Sequence, residues 1–124
     1  IVAEEGSGDA LATRARPDEW IWYVDPLDGT TNFAHGYPHF AVSLGVARGD
    51  RLELGVVYDP MRDELFAGRR GGGATLNGAA IRVSATPSLD QGLLGTGFPY
   101  DRRERAAYYL ALVEAVMRRA QGIR

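Results

Sequence analysis

Trp22-Tyr23-Val24-Asp25-Pro26-Leu27-Asp28-Gly29-Thr30-Thr31-Asn32-Phe33 is the most informative stretch of this 124-residue chain. Its first part, with the preceding Glu19-Trp20-Ile21, is aromatic and β-branched and predicts a strand over Glu19–Val24. Pro26 lacks an N–H and is expected to end that strand at Asp25 in an extended corner. Asp28-Gly29-Thr30 then predicts a turn into a short helix through about Ala34. Two carboxylates, Asp25 and Asp28, would leave one strand end and converge. Carboxylate and carbonyl oxygens suit a hard cation such as Mg²⁺, and the bend can turn the Leu27 carbonyl inward as a further ligand. Gly29, Thr30 and Thr31 would lie in the first helical turn, where N–H groups lack intrahelical partners and can receive an anion. For D-x-x-D alone the ordinary reading is a capping acid and a strand-end acid in water. The surrounding residues decide against it here.

Outward from this stretch, Ile1–Glu5 reads as the end of a strand, and Glu5–Pro17, rich in Gly, Ser, Ala and charge, as a loop. Phe40–Ala47 and Leu52–Tyr58, joined by Gly49-Asp50, predict an antiparallel hairpin. Asp59-Pro60-Met61-Arg62 turns again, and Glu64–Ala67 returns. Short extended pieces follow around Ala74–Leu76 and Ile81–Val83, with a further buried strand expected over Gly92–Gly97. Asp101-Arg102-Arg103-Glu104 has a capping-box pattern. Tyr109, Leu112, Val113, Val116 and Met117 then recur at helical spacing, predicting an amphipathic helix over about Arg102–Ala120. This order predicts an α+β layered fold and not a parallel doubly wound sheet.

Composition excludes several chemistries. There is no Cys, so disulfides, thiolate zinc sites and Cys nucleophiles are absent, which fits a reducing compartment. All fourteen basic residues are Arg, which removes P-loop and Schiff-base lysines. Residues 1–30 hold seven acids against Arg14 and Arg16, net −5, leaving +3 for the remainder of a chain whose net charge is −2. An acidic N-terminal third argues against nucleic-acid binding there. No apolar run is long enough to span a bilayer, so no membrane association is expected. His35 and His39 are four apart, but Gly36 and Pro38 between them disfavour a helical zinc site, and both are expected to be structural or loop residues. Gly71-Gly72-Gly73 reads as turn glycine, and Gly92–Gly97 lacks dinucleotide spacing. No G-x-S-x-G elbow exists.

Glu4-Glu5, Asp25–Phe33, Gly36-Tyr37-Pro38 and Ala41-Val42-Ser43 resemble the inositol monophosphatase family, whose D-P-[LI]-D-G-T-x-N-F pattern is long and specific. Val57–Pro60, Glu64-Leu65-Phe66, Gly72-Gly73-Ala74, Leu76-Asn77-Gly78 and Gly95–Pro99 also look like the family. The resemblance implies a layered αβαβα sugar-phosphatase fold, incomplete in this chain. It implies Mg²⁺-dependent, lithium-sensitive hydrolysis of a phosphomonoester, inositol monophosphate in the first instance, by in-line attack of an activated water. Fructose 1,6-bisphosphate, histidinol phosphate and adenosine bisphosphate are alternatives, although relatives acting on bisphosphorylated nucleotides tend to carry Lys-Glu after the first Thr, where this chain has Thr31-Asn32.

By the same resemblance, Glu4, Asp25, Asp28 and the Leu27 carbonyl match metal ligands, and Glu5 sits beside them in a supporting place. Thr30 with Glu4 matches the pair that holds the nucleophilic water, and the Gly29 and Thr30 N–H groups match the phosphate cradle. The family's later W-D-x-A-A-G metal motif has no counterpart, since Trp20 and Trp22 are the two Trp and neither precedes Asp. There is no initiator Met and no secretory signal pattern. Residues 1–124 are therefore expected to be the N-terminal metal- and phosphate-binding part of one phosphatase domain, with its C-terminal part absent. Expected further are a cytoplasmic location, a homodimer when intact, and little activity of this piece alone. The contrasting expectation is a non-catalytic metal- or phosphate-binding module.

Overall fold

The computed structural model describes residues 1–3 and 16–124. It divides into two compact units, Ile1–Arg82 and Val83–Arg124.

The first unit is a seven-stranded sheet in sequential order: β1 (Val2–Ala3), β2 (Trp20–Asp28), β3 (Ala41–Arg48), β4 (Arg51–Asp59), β5 (Glu64–Arg69), β6 (Gly73–Leu76) and β7 (Ala79–Ile81). β1 runs parallel to β2, and every later pair is antiparallel. The expected hairpin over β3 and β4 is present, turned at Gly49 with φ 61°. Both strands are rich in Val and Leu, interspersed with small residues on β3, which suits a pleated surface. The short helix α1 (Thr30–Ala34) connects β2 to the loop before β3.

Strand pairing aligns one residue from each of six strands: Tyr23, Gly45, Gly55, Gly68, Ala74 and Ile81. Three neighbouring glycines in this row leave bare backbone between the bulkier ends. The result is a concavity of about 640 Å³ whose lining includes Tyr23, Gly45, Val57, Phe66 and, at the β2 bend, Asp25. Apolar side chains stand exposed on both sides of the sheet. Alternation along each strand puts Tyr23, Val57 and Phe66 on the side of the glycine row, and Trp20, Trp22 and Leu65 on the other. Val46 and Ala47, on β3 near its turn into β4, are the buried apolar residues among those described. A sheet apolar on both faces is the middle layer of a layered fold.

The turn between β4 and β5 is held by Asp59, which is buried. Its Oδ1 accepts the N–H groups of Met61 (2.9 Å) and Arg62 (3.2 Å), and its Oδ2 accepts Arg62 Nη1 at 2.7 Å. Asn77, at φ 49° in the turn between β6 and β7, ties that turn back to the β4–β5 turn: its Nδ2 donates to the Asp63 carbonyl and its Oδ1 accepts the Leu65 N–H.

The second unit contains β8 (Leu93–Leu94), α2 (Ala106–Met117) and β9 (Gly122–Ile123), with 3₁₀ turns at Leu89–Gln91 and Tyr100–Arg102. β8 and β9 pair in parallel. Three expectations are corrected here. The strand expected over Gly92–Gly97 is two residues long, because beyond Leu94 only the Thr96 N–H finds a strand partner, Arg124 O at 2.9 Å. The long helix begins at Ala106 and not Arg102. Its capping box does not form, because the Asp101 carboxylate accepts Tyr109 OH at 2.7 Å and Arg105 Nη1 at 3.4 Å. Of the expected apolar stripe, Tyr109, Val113 and Val116 are half-buried, while Leu112 and Met117 are exposed. No helix among the described residues is long and apolar enough to cross a membrane.

Candidate active site

β2 does not end at Asp25 as expected. It continues through Pro26 to Asp28, with Asp25 opposite Ser43 and Asp28 opposite Ala41. Three steps on β2 therefore face two on β3, which is a bulge. A bulge leaves one residue outside the ladder, so a proline without an N–H is tolerated there, and the strand bends without stopping.

The bend is braced from within. Asp25 Oδ1 accepts the Leu27 N–H at 3.1 Å. Thr30 Oγ1 donates to the Leu27 carbonyl at 3.0 Å. Asp25, Leu27 and Thr30, expected to act together, are thus joined through the two backbone groups of Leu27. Gly29 turns the chain into α1 at φ 86°, ψ 33°, a left-handed conformation that L side chains rarely adopt. Gly29, and not Asp28, is the N-cap, and no side chain caps the helix. The Asp28 carboxylate is therefore not used in capping. The first bond into the helix is Phe33 N–H to Gly29 O at 3.0 Å, so the Thr30, Thr31 and Asn32 N–H groups precede the intrahelical ladder.

Asp25, Leu27, Asp28, Gly29 and Thr30 all lie on this one bend. Glu4 and Glu5 lie outside the described residues. Among the described residues no three His, Cys, Asp or Glu side chains come together around a common point. The donors on the bend are two carboxylates, a backbone carbonyl and a hydroxyl. This all-oxygen set fits Mg²⁺ and not a thiophilic metal, and the two acids of β2 need a third from elsewhere.

Asn32 received no role from the sequence. Its Nδ2 donates to the His39 carbonyl at 2.7 Å, tying α1 to the segment that enters β3. The available signal was a poor helix former inside a helix of five residues. His35 closes α1 through its backbone N–H, and His39 offers its backbone carbonyl to Asn32.

The family model of the Inositol monophosphatase family matches residues 1–124, and the chain belongs to that family. It is 46% identical over 122 residues to Nus factor SuhB of Pseudomonas aeruginosa, covering 97% of this chain and 42% of that protein. It is 47% identical over 103 residues to an inositol-1-monophosphatase of Rhizobium meliloti, covering 83% of this chain and 39% of that protein. The solved structure of extragenic suppressor protein suhB from Bartonella henselae superposes with a TM-score of 0.84 at 38% identity, over 99% of this chain and 46% of that one. SaIMPase-II, solved with inositol monophosphate bound, superposes with a TM-score of 0.75 at 26% identity, over 99% of this chain and 45% of that one. The chain thus spans less than half the length of each of these proteins, and its fold is that of the inositol monophosphatases.

Proposed function

We propose that residues 1–124 form the metal- and phosphate-binding part of a Mg²⁺-dependent phosphomonoesterase acting on inositol monophosphate. The observation that carries this reading is the bend at Asp25–Thr30, where Asp25 and Thr30 both bond to Leu27 in a chain of this family. The Asp25 and Asp28 carboxylates and the Leu27 carbonyl would hold the cation, with Glu4 as the further acid. Bound there, Mg²⁺ supplies Lewis-acid polarisation and neutralises charge on the phosphate and leaving group. Gly29 and Thr30 direct their N–H groups at phosphate oxygens. The single Thr30 hydroxyl proton goes to the Leu27 carbonyl, so Thr30 meets the attacking water as an acceptor. Glu4 aims the same water. The absence of Cys agrees with the proposed cytoplasmic setting.

The test is phosphate release by the intact protein with Mg²⁺, comparing inositol 1-phosphate, fructose 1,6-bisphosphate, histidinol phosphate and adenosine bisphosphate. Inositol 1-phosphate should be hydrolysed preferentially, lithium should inhibit, and Asp28→Asn should abolish turnover. Near-wild-type turnover by that variant would overturn the assignment. A second reading, a non-catalytic metal- or phosphate-binding module, draws support from the relative named as a Nus factor. Metal binding without turnover on any of the four substrates would favour it.

A further inference from the structure

α1 has five residues and begins at a glycine, so little within it fixes where its first turn sits. What fixes the turn lies across the loop. A β-carbon built on Gly29 would stand 3.0 Å from the His39 carbonyl oxygen and 3.3 Å from the Phe40 Cα. The backbone at His39–Phe40 is therefore the surface on which the turn rests. The Asn32 side chain ties that surface back to the helix, its amide donating to the same His39 carbonyl at 2.7 Å. The Asn32 carbonyl in turn accepts the Tyr37 N–H at 2.8 Å. Phe33 meets Phe40 edge to face at 5.1 Å between ring centres. Of these ties, only the Asn32 amide grips the carbonyl that Gly29 faces.

We infer that Asn32 is a positioning residue of the site. Its amide fixes the His39 carbonyl against which Gly29 turns, and so holds Asp28 and Thr30 at the spacing that cation and phosphate binding need. This rests on the metal-dependent reading above. Partners that orient a metal ligand commonly change metal affinity by about 10–100-fold when removed.

The experiment compares wild type, Asn32→Asp and Asn32→Ala in the intact protein. The first keeps the shape and removes the donor, and the second removes the donor without adding charge. Mn²⁺ affinity is measured by titration calorimetry, and amide hydrogen exchange is followed at Phe33 and Tyr37 against the β3–β4 pairs. Both variants should lose about tenfold or more in Mn²⁺ affinity. They should exchange faster at Phe33 and Tyr37 while the β3–β4 amides are unchanged. Mn²⁺ affinity within twofold of wild type overturns the inference, and so does loss of protection throughout the sheet, which would make Asn32 merely structural. If wild type itself does not bind Mn²⁺, the phosphatase reading falls. Exchange at Phe33 and Tyr37 then still decides whether Asn32 holds the turn, and unchanged rates there overturn the inference.

Discussion

Gly29 faces the His39 carbonyl so closely that a methyl group on it would stand 3.0 Å from that oxygen, and it does so at φ +86°. Gly36 also has positive φ, at +68°, but a β-carbon there meets nothing within 4 Å. Gly36→Ala should therefore cost only the left-handed backbone term, about 1–2 kcal/mol. Gly29→Ala carries that term plus the contact with His39 and Phe40, and should lower the urea midpoint further. Equal midpoints for the two variants would show that the contact is relieved without cost.

Asp25 has two separable jobs. Its Oδ1 holds the Leu27 N–H, and its charge is available to a cation. Asn keeps the acceptor and removes the charge, whereas Ala removes both. Asp25→Asn should keep wild-type stability and lose Mn²⁺ binding. Asp25→Ala should lose binding and some thermal stability as well. The two measurements are calorimetric titration and a thermal melt, and equal melting losses in both variants would count against the bracing role.

The contacts of Asp59 set the sign of a pH dependence in the fold. Burial pushes its carboxyl up, but the Arg62 guanidinium and the Met61 and Arg62 N–H groups together outweigh burial and hold it below the usual carboxylate range. A depressed native value means that its contribution is complete above the unfolded value, about 3.9, and is lost as pH falls through the native value. Asn at this position keeps an acceptor for the turn but not the pair with Arg62. The gap in urea midpoint between wild type and Asp59→Asn should be full at pH 7 and shrink only below about pH 4. A gap that is constant down to pH 2 would contradict this.

Tyr58 and Tyr109 should ionise late. The hydrogen bond to Asp63 and that carboxylate's charge push the Tyr58 phenol up. The hydrogen bond to Asp101, burial and the Asp101 charge do the same for Tyr109, with Arg105 pulling it back in part. Raised values stabilise the fold fully below the ordinary phenol value, about 10, and that contribution fades as pH rises through the native values. In an ultraviolet titration of the six tyrosines, Tyr58→Phe and Tyr109→Phe should each remove one late step. A single step near pH 10 for all six would refute the assignment.

The β3–β4 hairpin was legible because two apolar runs of strand length flank the Gly49-Asp50 turn, a local signal that the sheet preserves. The bend at Asp25–Thr30 was legible as a unit because its residue types are few and their order specific. Its detailed path was not. Proline signals an interruption, yet a bulge opposite Ser43 and Ala41 accommodates it. Asp101 followed by Glu104 looks like a cap until Tyr109, a partner eight residues on, takes the carboxylate. Asn32 escaped for the same reason, since its partner His39 lies across a loop and no spacing rule points to it. Glu4, the remaining acid of the expected metal set, lies outside the described residues, so its place in the site rests on the family alone.

The glycine row leaves a methyl-sized allowance in the sheet. A β-carbon at Gly55 meets nothing within 4 Å, and at Gly45 and Gly68 the nearest atoms stand at ordinary van der Waals distance, 3.6 Å. Strand glycine is entropically costly, so alanine at these positions is sterically free and conformationally favoured within this chain. Any penalty for alanine there would therefore originate above the sheet, which turns Gly45, Gly55 and Gly68 into three gauges of how closely another layer approaches the backbone.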